Sequence, residues 1–481
     1  MLSSVKYLYK IVNRNLRYPL RSQKYVCGMT NNPNDRRSIP VPHSRLSRLG
    51  RIGAMAIGVA GNMAANGVAR WAKGQNPSVR DLMLTPSNIF RITQQLAQLR
   101  GAAMKVGQLI SMDTGDFMPP ELAQIMARLR EDADSMPPSQ LKQVLAKQWP
   151  VDWPQSFKSF DMRPIAAASI GQVHRAQLID GRNLAIKVQY PGVAKSIDSD
   201  VGNIGVLIKL SGLLPERFEL APYLKEVRDQ LHGETNYAAE ADHLSRFYKL
   251  LSDVPHFVVP SIDEEWSTPS ILAMEYVPGV SIEEVGGFSQ KERDQVAKHL
   301  IVLTLQELFE FGVMQTDPNF ANYRYQPDTG NIVLLDFGAT REISPNIADQ
   351  YRQLIRAGLI NDDAAMAEIA QKIGFFNSEV SAAHRGQIVD MMRLVFKTIV
   401  ADQRFEFSDQ TVVKQLQTMG FSLVEDGFIP PPLPIEVLLL HRKIAGIFLL
   451  CAQLSASVDV ADLLRPYVIV KSDSEHSKAI A

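Results

Sequence analysis

Apolar residues recur at three- and four-residue spacing through SNIFRITQQLAQLRGAAMKVGQLISM, a period that predicts an amphipathic helix. The same period runs through FMPPELAQIMARLREDADSMPPSQLKQVLAKQW. Met136-Pro137-Pro138 divides that stretch into two helices, because proline is tolerated at a helix start and breaks the ladder inside one. Near Phe157 the period shortens. FDMRPIAAASIGQVHRAQLIDGRNLAIKVQY reads as strand, turn, strand, with Asp180-Gly181 as the hairpin signal. Residues 196–250 return to the helical period, and FVVPSIDEEWSTPSILAMEYV supplies two more strands. Beyond Ser289 the chain is helical apart from a strand pair around residues 315–340. This order predicts an α+β protein: a helical segment over 44–150, a strand-rich segment with inserted helices over 151–279, a helical segment over 280–470 and a tail over 471–481.

Length and composition add modest bounds. The 481 residues, 46% hydrophobic and 21% charged, suffice for more than one domain and a large core. Lys plus Arg and Asp plus Glu are each 51, yet the zero net charge hides an asymmetry. Residues 1–80 hold fourteen Lys and Arg and a single acid, Asp35. Basic residues at helical spacing in MLSSVKYLYKIVNRNLRYPLRSQKYVCGMT, interleaved with Leu and Ile, have the physics of a mitochondrial presequence or of an arm drawn to anionic lipid. The Pro/Asn-rich NNPNDRRSIPVPHS closes this basic targeting segment, 1–43. Two cysteines, Cys27 and Cys451, exclude a disulfide framework or a Cys-rich metal site. Residues 52–69 have the length of a membrane span, but Ala and Gly dominate and Asn62 and Asn66 interrupt them. A weak span, a membrane-lying helix and a buried Ala/Gly-rich helix all fit. Nothing in the charge pattern calls for nucleic acid.

Candidate chemistry concentrates in QTDPNFANYRYQPDTGNIVLLDFGAT. Asp317 and Asn322 are spaced D-x-x-x-x-N, and a predicted strand delivers Asp336 rigidly, with Gly338 letting the chain turn after it. Mg²⁺ prefers hard oxygen ligands, and Asn322 and Asp336 can supply two; Asp317 can hydrogen-bond an attacking hydroxyl or water. These are the roles of the catalytic-loop Asp and Asn and the Asp-Phe-Gly aspartate of protein kinases. Taken alone, Asp317 before Pro318 reads as an Asx-turn; the joint spacing carries the functional reading. Upstream, Lys187 sits mid-strand in LAIKVQY, where an ammonium needs anions: phosphates and a helix carboxylate. A surface lysine on an edge strand is the plainer alternative. The place of a Gly-rich phosphate loop is held by AAASIGQV, whose alanines permit close backbone approach but forbid most positive φ.

Four motifs together resemble the UbiB-type atypical kinase family, also called the ADCK family, of ubiquinone (coenzyme Q) biosynthesis: KVGQ (105–108), AAAS (166–169), QTDPNFAN and DFG. The resemblance covers residues 44–464. It implies a two-lobed protein-kinase-like fold with a helical N-terminal extension carrying the K-x-G-Q motif, and it implies ATP or ADP with Mg²⁺ as cofactors. Catalytic roles pass to Asp317, Lys187 and Glu240, the last as ion-pair partner of Lys187. Nucleotide contacts pass to Ala166, Ala167, Ala168, Ser169 and Lys187 and to the hinge residues Glu275 and Val277; metal ligation passes to Asn322 and Asp336. The extension contributes Lys105, Gly107 and Gln108, with Glu234 as partner of Lys105. Within ETNYAAEADH, Asn236 stands where the family usually has Asp, which puts the strength of that tether in question. The resemblance further implies ATP hydrolysis or phosphorylation of a small or lipid-like molecule at the matrix side of the inner mitochondrial membrane, with anionic lipids, quinone precursors or ubiquinone-biosynthesis enzymes as partners. A bacterial cytoplasmic membrane, a homodimer, a protein kinase and a pseudokinase scaffold stay open as alternatives.

Overall fold

The computed structural model describes Ala102, Lys105 and residues 135–168, 170–210, 220–401, 404–431 and 433–468. The basic segment 1–43, the stretch 52–69, Gly107, Gln108, Ser169 and the tail 471–481 lie outside the described residues. The described chain divides into two compact units, one holding residues up to 245 with 260–276, the other 246–259 with 277 onward.

In the first unit, helix α1 (Pro138–Gln148) begins at the predicted proline break and packs its Leu141 and Leu145 inward. Strands β1 (Phe157–Phe160), β2 (Ala166–Ala167), β3 (Gly171–Leu178) and β4 (Asn183–Gln189) follow; β5 (Phe257–Val258) belongs to the second unit, and β6 (Ile271–Glu275) completes this sheet. The order is β1-β3-β4-β6, antiparallel throughout, with β2 paired to β3. The β3–β4 hairpin turns at Asp180-Gly181: Gly181 has φ +97°, which few side chains tolerate, and the Arg182 N–H donates to Asp180 Oδ1 at 2.9 Å. One face of the sheet is sealed by aromatic packing. Trp149 stacks on Phe157 at 5.5 Å and meets Trp266 edge-on at 5.1 Å, the offset geometries that ring quadrupoles favour. Helices α2 (Val193–Leu210), α3 (Ala221–Glu234) and α4 (Tyr237–Leu250) are the insertion between β4 and β5.

The second unit carries the sheet β5-β10-β9-β7, built from β7 (Val280–Ser281), β9 (Tyr323–Gln326) and β10 (Asn331–Leu334) with β5 parallel to β10. That pairing is why 246–259 pack here although they fall within the strand-rich stretch 151–279. A second ribbon pairs β8 (Val313–Gln315) with β11 (Thr340–Glu342). The helices are α5 (Gln290–Gln306), α6 (Pro345–Leu359), α7 (Asp363–Ile373), α8 (Ala382–Ala401), α9 (Thr411–Glu425), α10 (Ile435–Gln453) and α11 (Val460–Val468). Tyr351, Ile369, Met392, Leu423 and Leu440 represent a core shared by α6 to α10. Helix α5 starts with a capping box, Ser289 accepting from Glu292 N–H while Glu292 reaches back to Ser289 N–H. It ends in a π-helical turn, Glu307–Phe311, stopped by Gly312 at φ +63°.

Candidate active site

Within the first unit, β4 places Lys187 opposite Val173 on one side and Leu272 on the other, so its ammonium starts from the middle of a paired sheet. Lys187 Nζ donates to Glu240 Oε1 at 2.6 Å, and the ammonium also lies 5.2 Å from the centre of the Tyr237 ring. Glu240 belongs to the first turn of α4, where a carboxylate also suits the helix dipole. Asn236 caps that helix: its Oδ1 accepts the Ala239 N–H at 3.1 Å from an exposed position. The Asn that departs from the family pattern therefore performs a capping task that Asp performs equally well. On the far side of the α3–α4 turn, Glu234 Oε1 meets Lys105 Nζ at 2.7 Å, with Lys105 itself buried.

The alanine segment is a tight hairpin. Ala166 and Ala167 pair with Val173 and Gln172, and Ala168 N–H donates to Gly171 carbonyl at 2.9 Å. Ala167 is exposed and its two neighbours are half-buried. Gly171 has no room for a side chain, since a Cβ there would meet the Val188 carbonyl oxygen at 2.4 Å. Further along, Glu275 N–H is committed to the Ser261 carbonyl at 2.8 Å and its carboxylate accepts from Ser261 Oγ at 3.2 Å. Val277 is half-buried, the first residue of the second unit after Tyr276.

Within the second unit the loop 316–322 joins β8 to β9 and carries Asp317 and Asn322. Leu335 N–H donates to the Asn322 carbonyl at 3.0 Å, extending the β9–β10 ladder by one step and seating Asn322 across from the residue before Asp336. Asp336 Oδ1 accepts the Gly338 N–H at 3.0 Å, an Asx-type turn that fixes the carboxylate's direction. Phe337 is buried against Phe247 with ring centroids 4.8 Å apart. Asn322 Nδ2 donates to the Asp317 carbonyl at 3.3 Å, the amide orientation that this acceptor dictates, so Oδ1 is its remaining polar atom.

The set fits Mg²⁺. It offers an amide oxygen and a carboxylate, hard donors in number suited to an ion that keeps several waters and completes its shell with phosphate. No cluster of three or more His, Cys, Asp or Glu among the described residues would form a self-sufficient metal cage.

Sequence reasoning missed three buried charges here. Arg442 Nη2 donates to Asp317 Oδ1 at 2.7 Å. Lys443 Nζ lies 3.2 Å from Glu307 Oε2, 3.2 Å from the Tyr323 hydroxyl and 3.4 Å from Gln315 Oε1. Burial pushes the Glu307 carboxyl up against the pull of Lys443. Burial also opposes the lysine's charge, but the attraction of Glu307 and Tyr323 outweighs it and raises the ammonium to about 12. Three oxygens thus face the ammonium. The signal that could have found it is the run His441-Arg442-Lys443 inside the apolar IEVLLLHRKIAGIFLLCAQ: basic residues inside a core helix need buried acceptors.

Comparisons with known proteins follow the same lines. The family described as ABC1 atypical kinase-like domain matches residues 128–370. The mitochondrial atypical kinase COQ8 of Saccharomyces cerevisiae is 38% identical over 431 residues, covering 89% of this chain and 86% of the yeast protein. The mitochondrial atypical kinase COQ8B of Rattus norvegicus is 36% identical, covering 88% and 80%. Among solved structures, Rv3197 in complex with erythromycin, from Mycobacterium tuberculosis, matches with a TM-score of 0.57 and 26% identity over 79% of this chain and 96% of that one.

Proposed function

Because the chain belongs to the ABC1 (UbiB) family of atypical kinases, with its kinase-like two-lobed α+β fold, and is a COQ8-type atypical kinase of ubiquinone biosynthesis, we propose that it binds Mg²⁺–ATP through the residues described above and either hydrolyses it or transfers its phosphate to a small or lipid-like acceptor. The observation that supports this reading is the Asn322–Leu335 backbone bond, which seats Asn322 across from the residue before Asp336 at the end of β10. Asn322 and Asp336 would hold Mg²⁺. Bound there, the ion would neutralise charge developing on the transferring phosphoryl oxygens.

The protein's own groups have distinct tasks. Lys187, held by Glu240, neutralises nucleotide phosphate charge. Asp317 accepts a proton from the attacking hydroxyl or water, and the Arg442 contact orients its carboxylate. The alanine hairpin at 166–168 shields the phosphates with less backbone freedom than glycine would give, and the backbone of Glu275 and Val277 receives adenine. Lys105, tied to Glu234, anchors the extension bearing Gly107 and Gln108, which bars a peptide acceptor and so favours hydrolysis or a small acceptor over protein phosphorylation. Both named relatives are mitochondrial. We place this chain at the matrix face of the inner membrane, held by anionic lipid beside quinone-modifying enzymes. No helix among the described residues is long and apolar enough to cross a membrane.

The test is calorimetric binding of ADP with titrated MgCl₂ to the full chain. Asp336→Asn is expected to abolish the metal-dependent component, and wild-type binding by that variant would end the reading. In the same preparation, labelled γ-phosphate should appear as free phosphate or on a small acceptor; efficient transfer to peptides would replace this reading with a protein kinase.

A further inference from the structure

Helix α10 lies beyond residues 128–370, which the family matches, yet it supplies the groups that hold both ends of the loop bearing Asp317 and Asn322. Gln315 is the last residue of β8, just before the loop, and Tyr323 opens β9 just after it. Lys443 touches both side chains. Its counter-charge Glu307 accepts the backbone N–H of Gln315 at 3.1 Å through one oxygen and faces the ammonium with the other. Lys443 and Glu307 are each only 1% exposed. Glu307 opens the π-helical turn at the end of α5, and wide turns of this kind recur at functional sites. One turn further along α10, Gly446 lies against Pro318: a Cβ there would meet the proline's Cβ at 2.0 Å. Glu307, Gln315 and Lys443 line one small cavity together with Asn322, Tyr323 and Asp336.

Two buried charges are a costly way to fill a core, because desolvation offsets most of their attraction and apolar residues of similar volume often do as well. Position is what they add here. An ion pair whose ammonium also donates to Gln315 and Tyr323 fixes both in one geometry, which apolar packing would not.

We propose that Lys443 and Glu307 are positioning residues of the metal site: their sealed ion pair ties both ends of the 316–322 loop to α10 and so sets Asn322 against Asp336. This rests on the reading of Asn322 and Asp336 as the Mg²⁺ ligands. Outer groups that orient metal ligands typically matter by about 10–100-fold in metal affinity.

The experiment compares the full chain with Lys443→Met/Glu307→Gln, which removes both charges and keeps an acceptor for the Gln315 N–H. Thermal unfolding and ADP binding are read across a MgCl₂ titration and again in EDTA. The double variant should unfold within a few degrees of wild type and bind ADP equally in EDTA. Its half-saturating Mg²⁺ concentration should rise about tenfold or more. A wild-type Mg²⁺ requirement in a double variant of wild-type stability would overturn the proposal, as would equal losses with and without metal. Should the double variant fail to fold, Tyr323→Phe removes one of the three contacts and is expected to raise the Mg²⁺ requirement two- to fivefold; an unchanged requirement there overturns the proposal as well. Asp336→Asn separates the two ideas. If that variant keeps wild-type Mg²⁺ dependence, the metal site itself is misread; if it loses the dependence while the double variant keeps it, only the role of the ion pair falls.

Discussion

Besides Lys105–Glu234, each unit buries a lysine–glutamate pair among the candidate site residues, and on the proposed reading these two pairs do different work. In the first, Lys187 meets Glu240 at 2.6 Å, and the lysine sits in a strand whose sequence, LAIKVQY, announces it. In the second, Lys443 meets Glu307 at 3.2 Å in the company of Gln315 and Tyr323, and no motif announces it. The side chains of the first pair are 9% and 2% exposed, those of the second 1% each. Ligand-facing charge tolerates some access to water, because its task is to exchange solvent for phosphate. A charge used for position is sealed and surrounded by protein acceptors. On the proposed reading the same two residue types serve recognition in one place and geometry in the other.

The largest effect that would break this contrast is on stability. Lys443→Met leaves the Glu307 carboxyl buried without its cation, a loss of about 3–5 kcal/mol. Lys187→Met should fall at the lower end of that range, because Lys187 retains more access to solvent. Urea denaturation of both single variants checks the ranking. Should Lys187→Met prove the more costly, the sealed pair would not be the structural one.

How much of this was readable beforehand follows from the same contrast. The Lys187–Glu240 and Lys105–Glu234 pairings were legible only through the resemblance of their motifs to the family, whereas Asp317, Asn322 and Asp336 stood out as a set by their spacing along the chain. Asp180-Gly181 was legible because a two-residue hairpin turn restricts its residue types. Helix α10 was legible as helical but not as part of the site. Arg442 finds Asp317 across 125 residues and Lys443 finds Tyr323 across 120, and no local period reports partners at that range. The π-helical turn at Glu307 was hidden for a different reason: its sequence, ELFEF, keeps an amphipathic look, and the wider turn alone changes which side chain faces inward.

Acid sharpens the comparison between units through two histidines held neutral. On β3 of the first unit, His174 Nδ1–H donates to the Asp161 carbonyl at 2.7 Å, and Nε2 accepts from the Gln172 amide at 2.8 Å. Gln172 Oε1 in turn accepts the Met136 N–H at 2.7 Å. Burial lowers the His174 pKa from 6.5 to about 4, against the raising effect of the Asp161 carbonyl. On α5 of the second unit, His299 stacks on His256 at 4.1 Å, and burial, with His256 and Lys298 nearby, lowers it to about 4. A base whose folded pKa is depressed gives stability that is complete above 6.5 and is lost as pH falls from 6.5 towards 4. The full shift corresponds to roughly 3 kcal/mol at His174, and to less at His299, which keeps more solvent around it. Urea denaturation at pH 7.5, 5.5 and 4.5 should show this decline, and His174→Gln should flatten it more than His299→Gln. Equal slopes in wild type and His174→Gln would remove His174 as the acid-sensitive element of the first unit.

The smallest effect concerns the start of α4, the helix that delivers Glu240 to Lys187. Asn236 holds the Ala239 N–H, one of the donors that a helix start leaves without an intrahelical partner. Asn and Asp are near-equal N-caps, whereas alanine offers no acceptor, so Asn236→Ala should cost about 1 kcal/mol and Asn236→Asp only a few tenths. Because Glu240 lies in the first turn, fraying that turn also loosens its hold on Lys187, and nucleotide binding should weaken slightly in the alanine variant alone. Neither change should alter the Mg²⁺ requirement, since Asn322, Asp336, Lys443 and Glu307 are untouched. A shift in that requirement on substituting Asn236 would mean that the capped helix also sets the metal site, and the division of labour between the two lysine–glutamate pairs would then have to be redrawn.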